Sequence, residues 1–150
     1  MWHDGVKPCE HSVAVCLLFF HAGDSIGGMP VADTIAKLRA AGRELASSNL
    51  AFDVALVDDC LGELSPKLRE LLAAWAPHRQ REFATGRLCA TRAFATLHLD
   101  AGDLCPDADG VPAWPEGTIG SISHSRGIAM AIAARGQDVS LLGLDLEKTT

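Results

Sequence analysis

The chain has 150 residues, of which 48% are hydrophobic and 21% charged, and it carries a formal net charge of −6. This length and composition predict one globular domain with a packed core and exclude a disordered chain. The acidic balance argues against a nucleic-acid-binding protein, because such proteins usually present a basic face to phosphates.

Five cysteines are scattered along the chain without a CxxC pair: Cys9, Cys16, Cys60, Cys89 and Cys105. They indicate neither a disulfide framework nor a zinc site, and we expect reduced thiols. The longest apolar run, residues 13–20, is far shorter than the roughly 20 residues of a membrane span, and two acidic residues precede it, unlike in a signal peptide. We therefore predict a cytoplasmic protein without a membrane span.

The first half of the chain predicts two buried strands, at residues 12–20 and 51–57, from short apolar runs. Residues 24–29 are a glycine-rich loop. Residues 31–48 have the spacing of an amphipathic helix. We expect the inner stripe of that helix to contain Ile35, Leu38 and Leu45.

The second half predicts two helices and then strands. Ser65 and Pro66 form a helix start that opens residues 67–75, and Pro77 opens a longer helix that runs to about residue 99. Residues 103–117 are predicted to form a loop. Strands at 118–123, 128–134 and 140–147 follow as a meander. The predicted fold class is α/β of the α+β kind, a small sheet packed on a long helix.

The long helix carries a basic ridge. Arg79, Phe83 and Arg87 follow an i, i+4, i+8 spacing and therefore share one side of the helix. Two stacked guanidinium groups suit a phosphate, because each can make bidentate, charge-assisted hydrogen bonds. The alternative is a solvated face in which Arg79 or Arg81 pairs with Glu82.

A glycine in the middle of this helix, Gly86, indicates that something approaches the backbone closely. Glycine at such a position is about 1 kcal/mol less favourable than alanine, so its presence calls for a reason. A bound ligand or the packing of another helix would each explain it.

The last predicted strand carries two carboxylates. In the segment Leu-Leu-Gly-Leu-Asp-Leu-Glu at residues 141–147, Leu144 and Leu146 point into the core, whereas Asp145 and Glu147 share the other face. Carboxylates about 7 Å apart along a strand can converge on Mg²⁺ together with substrate phosphates. A strand that turns its polar face to water is the alternative.

A histidine follows a strand of small residues. His124 comes after Gly-Ser-Ile-Ser at 120–123, at the C-terminal end of the predicted strand, where an imidazole can donate to a phosphate or exchange a proton. A structural or merely exposed histidine is the alternative. Ser123 and Ser125 suit turn residues equally well.

Four segments together resemble the ordered motif series of the 4′-phosphopantetheinyl transferases. They are Arg-Gln-Arg-Glu-Phe-Ala-Thr-Gly-Arg-Leu-Cys-Ala at 79–90, Pro-Ala-Trp-Pro-Glu-Gly at 112–117, Gly-Ser-Ile-Ser-His at 120–124, and Gly-Leu-Asp-Leu-Glu at 143–147. Within the Sfp-like group, the pattern is most similar to the enterobactin synthase component D type. The resemblance covers the chain from residue 64 to its C-terminus well, and residues 13–59 only loosely.

The resemblance implies one half of a pseudo-twofold fold. Residues 1–100 would be the N-terminal region of the transferase, and residues 101–150 the start of its catalytic domain. Members of this type have a second, similar half with a Lys-Glu motif, whose glutamate is a further metal ligand and base. The sequence ends at Thr150, three residues after Glu147, so we expect an N-terminal portion with weak or no activity alone.

The resemblance also implies a reaction: transfer of the phosphopantetheine arm of coenzyme A to a serine of an acyl or peptidyl carrier protein, with Mg²⁺ as cofactor. Arg79 and Arg87 would bind the 3′-phosphate of coenzyme A. His124, with Ser123 beside it, would contact phosphates. Asp145 and Glu147 would hold Mg²⁺, and His124 and Glu147 are the candidate catalytic residues. Siderophore biosynthesis is the pathway this subgroup suggests.

Two residues depart from the family pattern. Asp109 stands where many members have a lysine or arginine, and its carboxylate would repel a phosphate. Thr91 replaces an arginine, although Arg92 is adjacent. Three alternatives stay open: a non-catalytic coenzyme A-binding or nucleotide-binding module, a structural domain, and an oligomer in which a neighbouring chain completes the site. Loss of the second half would also leave an apolar surface for self-association.

Overall fold

A computed structural model of the chain describes residues 31–47, 49–125, 127–137, 139 and 142–144. The strand predicted at 12–20 and the glycine-rich loop predicted at 24–29 lie outside the described residues. So do Asp145 and Glu147.

The described chain forms three helices and three strands with one short 3₁₀ turn at Leu61–Glu63. In chain order they are α1 (Val31–Leu45), β1 (Leu50–Leu56), α2 (Pro66–Leu72), α3 (Pro77–Thr96), β2 (Thr118–Ser125) and β3 (Ile128–Arg135). Each corresponds to a helix or strand that the sequence predicts, and the α+β class is confirmed.

The strands form one antiparallel sheet in the order β1-β3-β2. Seven successive residues of the central strand, from Ile128 to Ala134, are buried. A strand that is buried on both faces has a continuous apolar sequence, because each face packs against another layer. In the register of the sheet, Ile132 of β3 pairs with Phe52 of β1 on one side and with Ser121 of β2 on the other.

Helices cover the two faces of the sheet. On one face, Ala90 and Phe94 of α3 pack in a cluster with the alanines of β3 at 129, 131 and 133. These small side chains let the helix lie close to the sheet. On the other face, Ile35 and Leu38 of α1 pack in a cluster with Met130 and Ile132. The prediction of a sheet on a long helix is confirmed, and α1 forms a third layer.

The helix boundaries follow from capping. The hydroxyl of Ser65 accepts a hydrogen bond from the amide of Leu68 at 3.3 Å, with Pro66 in the first turn, as the sequence predicts. Helix α3 ends at Thr96, earlier than predicted, because His98 adopts a left-handed φ of 57° that cannot continue the helix. Arg135 donates to the Leu97 carbonyl at 2.6 Å, which satisfies a carbonyl at the helix end.

The last predicted strand is wrong for the part that the structure describes. Residues 142–144 are not in a strand. Leu144 donates its amide to the hydroxyl of Ser121 at 3.1 Å, so a side chain replaces the backbone ladder at this point. Leu144 is nevertheless buried in the α1-side cluster, which confirms that its side chain enters the core.

The sheet combines strands from both sides of residue 100, because β1 pairs with β3. The division into residues 1–100 and 101–150 stays a prediction, and residue 100 falls between α3 and β2 within one layered unit. Across the described ranges, none of the helices has the length and apolar character needed to cross a membrane.

Candidate functional site

A cavity of about 380 Å³ lies between α3, the loop after it and β2. Its helical wall starts just before α3 and consists of Trp75, Arg79, Glu82, Phe83 and Arg87. The opposite walls consist of Gly110, Val111, Pro112 and Trp114 from the loop, and of Gly120, Ser121, Ile122 and His124 from β2. The cavity therefore joins three of the four segments on which the sequence resemblance rests.

Arg87 is the buried cation of the cavity, with only 7% of its surface exposed. Its Nε donates to the Leu104 carbonyl at 2.9 Å, and its Cζ lies 4.2 Å from the centre of the Phe83 ring. Burial lowers the pKa of Arg87 to about 10, which still leaves the guanidinium charged at neutral pH. A charge fixed in a partly desolvated wall attracts an anion more strongly than one in open water.

Arg79 lies two helical turns before Arg87 and lines the same cavity. Its Nη1 contacts Oε2 of Glu82 at 3.1 Å, and its side chain remains 59% exposed. Arg79 therefore pairs with Glu82, as the alternative predicts, and also faces the cavity, while phosphate binding by the ridge stays a prediction. Arg81 is exposed and is not among the described residues that line it.

His124 enters the cavity from the sheet. It is the next-to-last residue of β2, within the strand rather than after it as predicted, and its Nδ1 lies 3.7 Å from Oε1 of Glu82. Gly120, Ile122 and His124 alternate onto the α3 face of β2. Glu82 thus approaches a cationic side chain of its own helix and the imidazole of the facing strand.

Two aromatic rings form the rim beside Arg87. Trp75 lies edge-on to Phe83, with ring centroids 5.5 Å apart and planes at 83°. Trp75 is 42% exposed, although its amide donates to Leu72 and its carbonyl accepts from Gln80. An anchored but exposed aromatic face beside guanidinium groups suits a flat, conjugated ligand.

The loop wall is shaped by its own polar contacts. Asp107 accepts through Oδ1 from the amides of Asp109 and Val111, and Gly110 adopts a φ of 80° that favours glycine. Asp109 is exposed and does not belong to the described lining of the cavity, which keeps its carboxylate at the loop surface. Trp114 closes the base of the loop by stacking on Phe94 at 5.9 Å.

Two glycines allow the walls to approach one another. A Cβ on Gly86 would lie 2.7 Å from Cγ2 of Ile122, and one on Gly120 would lie 2.7 Å from the ring of Trp114. Strand packing, rather than another helix or a ligand, explains Gly86. The width of the cavity therefore depends on the absence of two side chains.

Thr91, the other departure from the family pattern, is exposed on α3 and lines a second cavity of about 140 Å³. Arg87 lines this second cavity as well as the first.

Ser123, another predicted site residue, is not among the described residues that line the cavity. Ser123 alternates onto the face of β2 opposite to His124, the face shared with Ser121. The predicted metal ligands Asp145 and Glu147 lie outside the described residues, and Leu144, the last described residue before them, contacts Ser121 in the cavity wall. Where side chains are described, no group of three or more His, Cys, Asp or Glu is arranged to hold a metal ion.

Sequence reasoning missed the roles of Glu82 and Trp75 in this cavity. It treated Glu82 only as an ion-pair partner for an arginine, because the helix spacing predicts that contact and no local pattern predicts His124 on the other side. Nothing in the sequence distinguishes Trp75 from a core aromatic.

The comparisons agree with this geometry. The family model of the 4′-phosphopantetheinyl transferase N-terminal domain matches residues 68–134. The match begins in α2, spans α3 and the loop, and ends in β3, so it contains every described residue that lines the cavity.

Curated relatives support the same assignment. The 4′-phosphopantetheinyl transferase Svp of Streptomyces mobaraensis is 41% identical over 90 residues, which is 60% of this chain and 37% of Svp. The 4′-phosphopantetheinyl transferase PptT of Mycobacterium tuberculosis is 33% identical over 82 residues, which is 55% of this chain and 36% of PptT. The chain spans little more than a third of the length of these relatives.

A solved structure also resembles the chain, with a TM-score of 0.48 and 21% identity over 59% of this chain and 95% of the other. It is the crystal structure of a holo-(acyl-carrier-protein) synthase from Bacillus anthracis in complex with CoA (3′,5′-ADP). Residues 68–134 of this chain are thus similar to the N-terminal domain of the 4′-phosphopantetheinyl transferases.

Proposed function

We propose that this chain binds coenzyme A for the transfer of 4′-phosphopantetheine to a serine of an apo acyl or peptidyl carrier protein, with release of 3′,5′-ADP. The observation that carries the proposal is the convergence of Arg79, Arg87 and His124 on one cavity within the matched domain. These three groups come from a helix and a strand that the chain brings together only by folding.

The proposed role of the two arginines is to bind the 3′-phosphate. Arg87 would provide a fixed charge at the buried end, because its Nε is already held by Leu104. Arg79 would close over the ligand from the exposed end. Guanidinium groups suit this role because their planar fork matches phosphate oxygens.

The proposed role of the aromatic rim is to receive the adenine base. Trp75 is exposed at the cavity, and its edge-on contact with Phe83 holds the ring in place. Stacking of a base on an aromatic side chain contributes about 1–3 kcal/mol in proteins that bind single-stranded nucleic acids. A bound adenosine with a 3′-phosphate would use both features of the cavity.

Mg²⁺ is the proposed cofactor, and Asp145 and Glu147 would hold it. Their carboxylate oxygens are the ligands that this hard cation prefers. Bound there, the metal would neutralise charge on the pyrophosphate of coenzyme A. His124 and Glu147 are the proposed catalytic residues, and Ser123 a further phosphate contact, while the partner provides the serine nucleophile.

Three finer assignments belong to the same proposal. The enterobactin synthase component D subgroup and a pathway of siderophore biosynthesis rest on the resemblance of the motifs, and a cytoplasmic location rests on the composition and on the shortness of the longest apolar run. Self-association of the chain is a further prediction, checked by size-exclusion chromatography at several concentrations. A clean monomer at every concentration would contradict it.

The direct test of the activity is the intact mass of an apo carrier protein after incubation with this chain, coenzyme A and Mg²⁺. A mass gain equal to phosphopantetheine, lost in Asp145→Ala, would support transfer by these residues. A full-length family member provides the active control. Coenzyme A binding without any mass gain would favour the alternative of a non-catalytic binding module.

A binding measurement tests the cavity itself. We expect Arg79→Ala to weaken the binding of 3′,5′-ADP about tenfold, because a hydrogen bond to a charged group contributes about 1.5 kcal/mol. Arg81→Ala is the matched control, since Arg81 lies on the same helix outside the cavity lining. Isothermal titration calorimetry on both variants checks it, and equal affinities would contradict the assignment of Arg79.

A further inference from the structure

One carboxylate in the cavity has no role in the proposed binding of phosphate. Glu82 lies three residues after Arg79 on α3, and its side chain is only 25% exposed. A negative charge in a cavity that binds an anion repels the ligand, so the presence of Glu82 calls for another role.

Glu82 contacts two of the residues that are proposed to bind phosphate, one with each carboxylate oxygen. Oε2 lies 3.1 Å from Nη1 of Arg79, and Oε1 lies 3.7 Å from Nδ1 of His124. The first contact is a charge-assisted hydrogen bond. The second is longer than a hydrogen bond and acts as an electrostatic contact. The two partners come from different elements, so Glu82 connects the helical wall with the strand wall.

The contact with His124 selects between its two ring nitrogens. A neutral imidazole carries one proton, and a carboxylate beside Nδ1 favours the proton there. That leaves Nε2 as the nitrogen directed away from Glu82. Since the ring lines the cavity, this nitrogen faces a ligand. It accepts a hydrogen bond from a protonated phosphate oxygen when the ring is neutral, and it donates to an ionised oxygen when the ring carries a second proton.

We infer that Glu82 is a positioning residue, which orients His124 through Nδ1 and Arg79 through Nη1 so that both address the same phosphate. This inference rests on the proposed function, because the proposed function identifies the anion that is bound. The orientation of His124 is independent of it and can be measured without a ligand.

Glu82→Met is the informative variant, because methionine keeps the length and helix propensity of the side chain and removes both oxygens. Glu70→Met is the matched control, since Glu70 is an exposed helical glutamate on α2 outside this cavity. Thermal unfolding of both variants verifies that they fold.

The ligand-free measurement is the tautomer of His124, read from long-range ¹H–¹⁵N correlations of the imidazole at a pH where it is neutral. We expect the Nδ1–H form in the wild-type chain and in Glu70→Met, and a shift towards the Nε2–H form in Glu82→Met. An unchanged tautomer in Glu82→Met would overturn the inference.

The binding measurement is the dissociation constant of 3′,5′-ADP. We expect Glu82→Met to weaken binding about fivefold, and the loss to shrink in a His124→Ala background, since coupled residues are not additive. Tighter binding in Glu82→Met would mean that Glu82 competes with the anion, and an equal loss in both backgrounds would mean that it does not act through His124. Either result would overturn the inference.

The two proposals fail in different ways. If the wild-type chain does not bind 3′,5′-ADP, the proposed ligand is wrong, and the tautomer alone decides the role of Glu82. If the wild-type chain binds and Arg79→Ala weakens binding while Glu82→Met does not, the proposed function stands and the positioning role fails.

Discussion

At the scale of single residues, the buried Arg87 and the half-buried Asp53 have different surroundings. Arg87 has a hydrogen-bond acceptor in Leu104 and an aromatic face in Phe83. Asp53, in β1, has an oxygen, Oδ2, with no hydrogen-bond partner among the described residues, and the nearest cation is Nη1 of Arg92 at 3.9 Å. A cation directed into a cavity suits a binding role, whereas the carboxylate reduces stability.

Asp53 predicts a dependence of stability on pH. Burial, the largest effect, raises the pKa of Asp53 above its usual value of 3.8, so the folded state holds the proton to a higher pH than the unfolded state. Ionisation of this carboxylate therefore lowers the stability of the folded state. The loss is complete above the folded-state pKa, and it disappears as the pH falls from that pKa to the unfolded-state value.

We expect Asp53→Asn to be more stable than the wild type at neutral pH, because the neutral amide avoids the desolvation cost of the carboxylate charge. The difference should fade towards pH 4 and below. Urea unfolding across this pH range measures it. Asp59→Asn, at an exposed position, is the control, and a difference that does not change with pH would contradict the prediction.

At the scale of secondary structure, the close packing of α3 on β2 determines the shape of the cavity. Gly86 allows the approach, because a Cβ there would lie 2.7 Å from Ile122. The glycine is unfavourable for the helix by itself, by about 1 kcal/mol relative to alanine. The sheet contact therefore outweighs the intrinsic preference of the helix.

We expect Gly86→Ala to lower the free energy of unfolding by about 1–3 kcal/mol, because the added methyl group overpacks a tight contact. Ile122→Ala in the same chain should recover part of the loss by removing the atom that clashes. Gly62→Ala is the control, since a Cβ there meets nothing within 4 Å. Chemical denaturation measures all three, and a neutral or stabilising Gly86→Ala would contradict the assigned contact.

At the scale of the whole molecule, the sheet is enclosed by α3 on one face and by α1 with Leu144 on the other. Leu144 is 8% exposed and is far in sequence from the α1 residues in its cluster. A segment outside regular secondary structure therefore contributes to the core.

We expect Leu144→Ala to lower stability by about 2–3 kcal/mol, the range for a buried leucine that leaves a cavity. Leu56→Ala is the matched control, because Leu56 is 51% exposed at the end of β1 and should change stability by less than about 0.5 kcal/mol. Thermal or urea unfolding measures both. Equal effects at the two positions would mean that Leu144 is not part of the core.

Local patterns along the chain are enough to predict most of the helices and strands. The spacing of Ile35 and Leu38, the cap formed by Ser65 and Pro66, and the apolar run of β3 each predict an element that the structure contains. These signals depend on residues within a few positions of one another, so they need no knowledge of the rest of the chain. The shared helix side of Arg79 and Arg87 is of the same kind.

The remaining features depend on contacts between residues that are far apart in the chain. The pairing order β1-β3-β2, the position of α1 on the second face, and the contact of Glu82 with His124 join segments whose separation no periodic pattern encodes. The end of α3 at Thr96 was misplaced because a left-handed His98 has no local sequence signal. The cavity is decided at this level too, since its walls come from a helix, a loop and a strand that only packing brings together.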